Sequence, residues 1–366
     1  MSASTKLLKL LFISTPVGHL GSGLGGGVEL SLYNIAQEML RRGHQLQIVA
    51  PAGSSGNDLP LVQIPGNLQV IAQSQSRTAP ITMPENAVLA NMWDYAHQVQ
   101  GDYDLIVNFA YDWLPFYLTP FFDCSIAHLL SMGSLSNALD AIIKQVASQF
   151  PGTIGFHTQT QAATFALEQQ CPVLSNGIDL SLYNFCNQPK HQLAWVGRIA
   201  PEKGLEDAVA ASQITNMPLK IMGKIQDDLY WQKICQDYPN APLEYLGFLS
   251  TNQMQQVVRE CKASLMTPHW VEAFGNVAIE SLACGVPVIC YRRGGPVEII
   301  QDGKTGFLVE PDSVPGLVDA ITRLDEINRY TCRHQAETEF SLSALGDRLE
   351  KWFHTIQSGE SIEDNE

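Results

Sequence analysis

Charged residues are scarce in this sequence, and positively charged ones are the scarcest. Of the 366 residues 16% are charged, with 22 Lys and Arg against 37 Asp and Glu, so the formal net charge is −15. Binding to nucleic acid needs a basic face that neutralises phosphates, so this balance excludes nucleic acid as a partner. A run of about 20 apolar residues is also missing, and we therefore predict no membrane span.

The eight cysteines form no C-x-x-C pair, and none is spaced from a histidine as metal ligands are. A zinc site is therefore not expected, and we predict no bound metal. The apolar stretch 8–14 is interrupted by Lys9 and leads into Ser14-Thr15-Pro16, so we interpret it as a buried strand rather than a signal peptide. Without a signal, the cysteines are expected to be reduced thiols of a cytoplasmic protein.

Apolar residues make up 45% of the chain, which is enough for a large core. Strand and helix patterns alternate from end to end without tight hairpins, which is typical of parallel sheets with helices on both faces. Strands are predicted at 8–14, 45–50, 105–108, 125–129, 153–156, 193–196, 219–222, 263–266 and 286–290. Helices are predicted at 28–42, 85–99, 135–149, 159–168, 205–213, 228–237, 251–260, 277–283, 314–324 and 341–354.

The alternation restarts near residue 190, which predicts two doubly wound, Rossmann-like α/β domains. We place the first at 1–187 and the second at 188–340, with the helix 341–357 packing back on the first. The acidic tail 358–366 is expected to be disordered. Such sheets bind ligands at the carboxyl ends of their strands, so the site is expected in a cleft between the domains. The sequence does not indicate an oligomeric state.

A glycine-rich stretch, 21–27, lies between the first strand and the first helix. Glycine lets the backbone approach a ligand closely, and the start of a helix attracts anions. Gly21, Gly23 and Gly26 have the spacing of a dinucleotide fingerprint, but the second strand ends without an acidic residue to bind a ribose. Two interpretations of this stretch remain. It is a phosphate-binding loop, in which Gly26 and Gly27 contribute backbone amides, or a flexible loop without a ligand.

Two cations stand in the segment 197–204, G-R-I-A-P-E-K-G, after the first strand of the second half. Arg198 can contact two phosphate oxygens at once, and Lys203 supplies a point charge. Both lie at a strand end near the start of a helix, where anions bind. The alternative is two solvated surface cations.

Two glutamates eight positions apart, Glu272 and Glu280, flank the start of another helix. Glu272 can accept hydrogen bonds from sugar hydroxyls, and Glu280 can reach a ribose. Backbone amides at the start of this helix can receive phosphate, and they belong to Phe274, Gly275, Asn276 and Val277. Gly247 and Phe248 follow a strand where a base can be held. The alternative is a helix with two surface glutamates.

Together these motifs, with N-G-x-D at 176–179 and G-G-P at 294–296, resemble the retaining glycosyltransferases of family 4, which have the GT-B fold. The resemblance implies a nucleotide-sugar in the second domain and an acceptor in the first. It implies that Arg198 and Lys203 stabilise the leaving diphosphate, that Glu280 binds the ribose, and that Glu272 binds the sugar. His128 would be the active-site histidine. Catalysis would need no metal and no cofactor besides the donor, UDP-glucose.

An aromatic stretch at 109–122 bears on the identity of the acceptor, because seven of its 14 residues are aromatic. Tyr111, Asp112 and Trp113 follow a strand end and are expected to face the cleft, with Trp93 and Asp94 nearby. Aromatic rings stack on flat ligands, and aspartate accepts from ring N–H groups. A packed core segment is the alternative reading.

A closer resemblance is to the cyanobacterial UDP-glucose:tetrahydrobiopterin glucosyltransferases. It rests on S-T-P-V-G-x-L-G-S-G at 14–23, N-M-W-D-Y at 91–95 and the stretch 108–122. It implies transfer of glucose to the side-chain hydroxyl of a reduced pterin. The alternatives are a sugar, polysaccharide or lipid acceptor, a nucleotide-sugar 2-epimerase, and a non-catalytic nucleotide-sugar sensor.

Overall fold

The structure, a computed structural model, describes residues 6–22, 26–56 and 58–359. The chain forms two compact units. The N-terminal unit runs to Asn176 and resumes at Leu345, and the C-terminal unit is Gly177–Ala344. The first boundary lies earlier than the predicted one at 187, because the residues after Asn176 bond to the second unit. Ile178 N donates to Phe340 O at 2.9 Å.

The N-terminal unit is built on a parallel sheet of six strands among the described residues, in the order β3-β2-β1-β4-β5-β6. The strands are β1 (Lys9–Ile13), β2 (Gln45–Pro51), β3 (Leu61–Ile64), β4 (Leu105–Asn108), β5 (Ile126–Leu129) and β6 (Ile154–Gly155). The helices are α1 (Gly27–Arg41), α2 (Val88–Val99), α3 (Trp113–Leu118), α4 (Asn137–Gln149) and α5 (Gln159–Ala163).

Both faces of this sheet are buried, as the four consecutive apolar residues 10–13 of β1 require. Leu10 and Phe12 pack on one face with α1, and Leu11 and Ile13 pack on the other with α2. Phe12 is paired with Ile48 on one side and Val107 on the other, so β1 lies at the centre of the sheet.

The C-terminal unit repeats this architecture, with the strand order β12-β11-β10-β7-β8-β9 in its described residues. The strands are β7 (Leu193–Val196), β8 (Leu219–Met222), β9 (Leu243–Tyr245), β10 (Ala263–Met266), β11 (Val288–Tyr291) and β12 (Gly306–Val309). The helices are α6 (Leu205–Thr215), α7 (Asp228–Asp237), α8 (Thr251–Val258), α9 (Asn276–Ala283), α10 (Pro296–Ile299), α11 (Val314–Thr322) and α12 (Arg329–Glu339).

The last helix, α13 (Leu342–Ser358), packs in the N-terminal unit. Its apolar face contributes Leu345, Leu349 and Trp352 to the core that contains Leu10. Trp352 Nε1 also donates to the carbonyl of Gly152 at 2.7 Å. The tail beyond Gly359, predicted as disordered, lies outside the described residues.

The predicted class, two doubly wound parallel sheets with helices, is confirmed. Two edge strands of four residues, β3 and β12, were not predicted, and the strand placed before Gly247, which is β9, was predicted without bounds. All eight cysteines are free thiols. No helix within the described ranges is long and apolar enough to cross a membrane.

Candidate active site

The strand order of the C-terminal sheet reverses between β7 and β10, which we call the C-terminal switch point. Loops that leave two such strands go to opposite faces and open a crevice in which ligands of α/β sheets bind. The loop after β7 carries Arg198 and Lys203, and the loop after β10 carries Glu272. The topology therefore brings together three residues that the sequence predicted as one site.

Lys203, Glu272 and Trp270 form a single contact cluster at this point. Lys203 Nζ lies 2.5 Å from Glu272 Oε2, and Trp270 Nε1 donates to the same oxygen at 3.0 Å. The ammonium also lies 4.9 Å from the centre of the Trp270 ring, within the range of a cation–π contact. The sequence analysis missed Trp270. Its only signal was a large aromatic residue in the loop before Glu272.

The Glu272 carboxylate is held in its charged form. Burial by itself raises the pKa of Glu272, but the nearby Lys203 charge and the hydrogen bonds from Lys203 and Trp270 outweigh it, so the pKa lies below its usual value. A carboxylate that stays ionised accepts hydrogen bonds only, which suits sugar hydroxyls.

Arg198 lies at the edge of the same cluster. Its guanidinium is 3.1 Å from Glu202 Oε1, donates to Gln226, and stands 6.0 Å from the centre of the Trp270 ring. Gln226 comes from the loop after β8 and was not predicted. Arg198 is half-exposed, so its charge is open to a ligand.

Helix α9 begins at Asn276, after the left-handed Gly275 at φ +98°, with Phe274 buried and Val277 half-buried. Glu280 lies one turn further on, and its Oε1 accepts from Tyr183 OH at 3.0 Å. Burial raises the pKa of Glu280, and the bond from Tyr183 offsets this only in part. The two glutamates therefore have opposite pKa shifts.

The G-G-P motif supports the Glu272 loop from the side. Gly294, at φ +73°, approaches so closely that a Cβ there would lie 2.5 Å from Glu272 N and O, and a Cβ on Gly295 would lie 2.6 Å from Ala273 O. Gly295 N donates to Glu272 O at 2.7 Å. These two glycines are required because no side chain fits between the loops.

The other predicted donor residues lie in loops at strand ends. Gly247 O accepts from Gly223 N at 2.8 Å, next to the end of β8, and Phe248 is 77% exposed. Gly26 and Gly27 are exposed at the start of α1, and residues 23–25 of the glycine-rich stretch lie outside the described residues.

In the N-terminal sheet the order reverses between β1 and β4, and Tyr111, Asp112 and Trp113 follow β4. Tyr111 OH donates to Gly133 O at 3.0 Å, and Asp112 caps α3 by accepting from Leu114 N at 3.1 Å. Burial raises the pKa of Asp112, and hydrogen bonds from Leu114, Trp113 and Gln69 offset this in part. The Trp113 ring stacks on Tyr117 at 4.6 Å.

His128, which the resemblance implied as the active-site histidine, lies inside the core. It belongs to β5, is completely buried, and stacks on Phe116 at 4.3 Å. Nδ1 is 3.1 Å from Asn108 Nδ2 and Nε2 is 2.9 Å from Thr119 Oγ1, so both ring nitrogens are already in use. Burial lowers the pKa of His128 to about 3. The geometry supports a structural role instead of a contact with the sugar.

Trp93 and Asp94 belong to the middle of α2, and neither side chain follows a strand end. Trp93 is fully buried and packs edge-on against Phe122 at 5.4 Å. Asp94 is exposed and accepts from Gln98, one turn further along the helix, at 2.8 Å. Trp93 is therefore a residue of the core of the N-terminal unit.

One group of described residues has the geometry of a cation site: Asp207, His269 and Asp312 offer ligand atoms within 4.8 Å of one another. Tyr291 OH already donates to Asp207 at 2.7 Å, and Arg293 pairs with Asp312 at 2.8 Å. Asp102 and Asp104 form a D-x-D triplet in the sequence. The triplet lies just before β4, at the amino ends of the strands, where Asp104 accepts from Lys9 N at 2.7 Å.

Residues 185–338 match the family Glycosyl transferases group 1. This part of the chain is similar to group 1 glycosyltransferase domains. An uncharacterized glycosyltransferase of Methanocaldococcus jannaschii is 30% identical over 162 residues, 43% of this chain and 44% of that protein. The glycogen synthase of Mycobacterium tuberculosis is 31% identical over 160 residues, 41% and 38% of the two chains. The chain thus spans less than half the length of these curated relatives.

Other similarities extend over nearly the whole chain. The D-inositol 3-phosphate glycosyltransferase of Corynebacterium aurimucosum is 23% identical over 94% of both chains. The crystal structure of Anabaena HepE with UDP-glucose has a TM-score of 0.74 at 18% identity, over 96% of this chain and 100% of that one. Sucrose-phosphate synthase of Thermosynechococcus elongatus gives 0.74 at 17%, with the same coverage. The fold is that of GT-B glycosyltransferases.

Proposed function

We propose that this protein is a retaining glycosyltransferase that moves glucose from UDP-glucose to the side-chain hydroxyl of tetrahydrobiopterin. The observation that carries the donor half is the cluster of Lys203, Glu272 and Trp270 at the C-terminal switch point, with Arg198 at its edge. It lies inside the segment 185–338 that is similar to group 1 glycosyltransferase domains, and UDP-glucose is bound in the crystal structure of the similar HepE.

The charges suggest how the reaction proceeds. The bond between the glucose C1 and the β-phosphate oxygen breaks, the acceptor oxygen bonds to C1 on the same face, and the hydroxyl proton passes to the departing phosphate. UDP leaves with extra negative charge. Arg198 and Lys203 stabilise that charge, and a preorganised cation is more effective in such a site than in water. Glu272, kept ionised by its neighbours, orients the sugar hydroxyls, and no step requires a metal.

The acceptor half of the proposal rests on the sequence resemblance and on residues of the N-terminal unit. Tyr111, Asp112 and Trp113 stand at the end of β4, beside the point where the strand order reverses. A half-buried carboxylate next to aromatic rings suits a flat acceptor with N–H groups.

Product analysis by mass spectrometry tests both halves. The protein is incubated with UDP-glucose under reducing conditions, with and without tetrahydrobiopterin, with chelator and with added divalent cation in parallel. An enzyme-dependent hexose added to the pterin, unaffected by chelator, is the expected result. Release of UDP without a glycosylated pterin contradicts the acceptor and favours a sugar, polysaccharide or lipid, or an epimerase. If no nucleotide-sugar that is tested releases its nucleoside diphosphate, the proposed glycosyltransferase activity is contradicted.

A further inference from the structure

The long connection 65–87, which we call the strap, joins β3 to α2. It runs past the carboxyl ends of the strands of the N-terminal sheet. Two anchors fix its course. Gln69 N donates to Pro16 O, just after β1, at 3.0 Å. Arg77 pairs with Asp140 of α4 at 2.7 Å and donates to Ser134 O at 3.1 Å. The strap therefore passes beside the loops that follow β1 and β5.

Gln69 carries a buried polar atom that the fold does not use. Gln69 lowers the pKa of the Asp112 carboxyl, and beside a carboxylate only the NH2 end of its side chain has this effect, so Nε2 faces Asp112. The carbonyl oxygen Oε1 then points the other way. It is buried and has no hydrogen-bond partner among the described residues, and the same is true of Ser14 Oγ at the end of β1.

A buried acceptor without a hydrogen-bond partner destabilises the fold, so its presence at a strand end needs a reason. A ligand that brings an N–H group supplies one. We propose that Gln69 and Asp112 recognise the acceptor through adjacent N–H donors, with Gln69 Oε1 accepting from the 2-amino group of a pterin ring and Asp112 from its N3–H. This inference rests on the proposed function, since it assigns the contacts of that acceptor.

The geometry of the acceptor agrees with this assignment. In tetrahydrobiopterin the 2-amino group and N3–H lie at the opposite end of the ring system from the dihydroxypropyl side chain. Binding of the N–H edge by Gln69 and Asp112 therefore leaves the side-chain hydroxyl at the far end of the ligand, away from both residues. Ser14 supplies a hydroxyl at the same strand end, which can donate to the ring carbonyl beside N3–H.

Replacing Asp112 by asparagine gives a test that inverts polarity. Leu114 N still needs an acceptor, so the new side chain turns its NH2 toward Gln69, and Gln69 must rotate its amide to accept from it. Gln69 then presents an NH2 group where it presented a carbonyl. We compare kcat/KM for tetrahydrobiopterin with that for its 2-oxo analogue, in which a carbonyl replaces the 2-amino group.

The wild-type protein is expected to prefer tetrahydrobiopterin, and D112N to shift the ratio of the two kcat/KM values roughly tenfold or more toward the analogue. Q69M is expected to raise the KM for tetrahydrobiopterin roughly tenfold or more. Q75M is the control, because Gln75 is an exposed glutamine of the same strap.

Thermal unfolding of each variant separates loss of contact from loss of folding. Equal acceptor ratios in the wild type and D112N, with normal transfer to the pterin, overturn the inference and leave the proposed function standing. Failure of the wild-type protein to glucosylate tetrahydrobiopterin, with transfer to another acceptor, overturns both the proposed acceptor and the inference.

Discussion

Lys203 and Glu272 are 69 residues apart in the sequence, yet their charged atoms lie 2.5 Å apart at the C-terminal switch point. Both side chains are mostly buried, and Trp270 bonds to the same carboxylate oxygen. The ion pair holds the Lys203 cation at the site, in a chain that has only 22 Lys and Arg residues against 37 Asp and Glu. We expect a bound diphosphate to compete with Glu272 for Lys203, which leaves Glu272 available to the sugar.

Substitution of either cation is expected to slow the reaction. Lys203→Ala and Arg198→Ala remove charge that stabilises the departing UDP, and each should lower kcat/KM on the order of 10²-fold or more. Steady-state kinetics with UDP-glucose measures the effect. Lys233→Ala is the control, because Lys233 forms an exposed pair with Asp237 on α7. Near-normal turnover in both site variants would contradict the assigned role.

Trp270→Phe tests how Glu272 is kept ionised. The change retains a ring beside Lys203 but removes the N–H that donates to the carboxylate. This bond is one of the effects that lower the pKa of Glu272, so its loss raises that pKa. If the ionised form binds sugar, the acidic limb of the kcat/KM profile moves to higher pH. The pH profiles of kcat/KM for the wild type and Trp270→Phe measure this shift. Trp231→Phe, which changes a tryptophan of α7, is the control. Acidic limbs at the same pH in the wild type and Trp270→Phe would contradict the prediction.

The fold was largely predictable because the inner strands are mostly apolar and alternate with helical patterns along the chain. β4, β7, β8 and β10 were predicted with their observed bounds. The edge strands β3 and β12 were missed, and β9 was predicted without bounds, because an edge strand pairs on one side only. It is therefore short and half-polar, and its local pattern resembles a loop. Helix α3 was missed because it has only six residues and a proline.

The candidate site was predictable where charged residues stand at motif spacing in loops after strands, as Arg198, Lys203 and Glu272 do. It was not predictable where function depends on which way a side chain points. His128 and Trp93 are the residue types expected in a site, but both belong to regular elements whose inward face is the core. Trp270 and Gln69 lie in loops without periodicity, so only the folded chain brings them to their partners.

His128 gives a prediction about stability and pH. Burial depresses its pKa from 6.5 to about 3, so the folded chain keeps it neutral while the unfolded chain takes up a proton. Its contribution is complete above the unfolded pKa and is lost as the pH falls toward 3. In that window one such group adds up to about 1.4 kcal/mol per pH unit to the slope of stability.

His128→Asn is expected to flatten that slope, although the variant is also less stable at neutral pH because it leaves a gap beside Phe116. Urea unfolding at several pH values measures both effects. His334→Asn is the control, because His334 is exposed on α12. An unchanged slope in the His128 variant would show that the histidine titrates alike in both states.

Gly294 provides a matched pair with Gly303. The two residues have nearly the same φ, +73° and +72°, so an added Cβ costs each the same strain of a left-handed backbone, about 1 kcal/mol. They differ in surroundings. A Cβ at Gly294 meets the Glu272 backbone at 2.5 Å, whereas at Gly303 it meets nothing within 4 Å.

Gly294→Ala is therefore expected to move Glu272 away from Lys203 and to lower kcat/KM for UDP-glucose at least tenfold, because displacements of about 1 Å in an active site cost up to about 10²-fold. Gly303→Ala should lose a similar backbone contribution to stability and keep its activity. Steady-state kinetics and thermal unfolding of both variants separate the two effects. Equal activity in the two proteins would mean that the position of Glu272 does not control turnover, and the role assigned to its ion pair would fail with it.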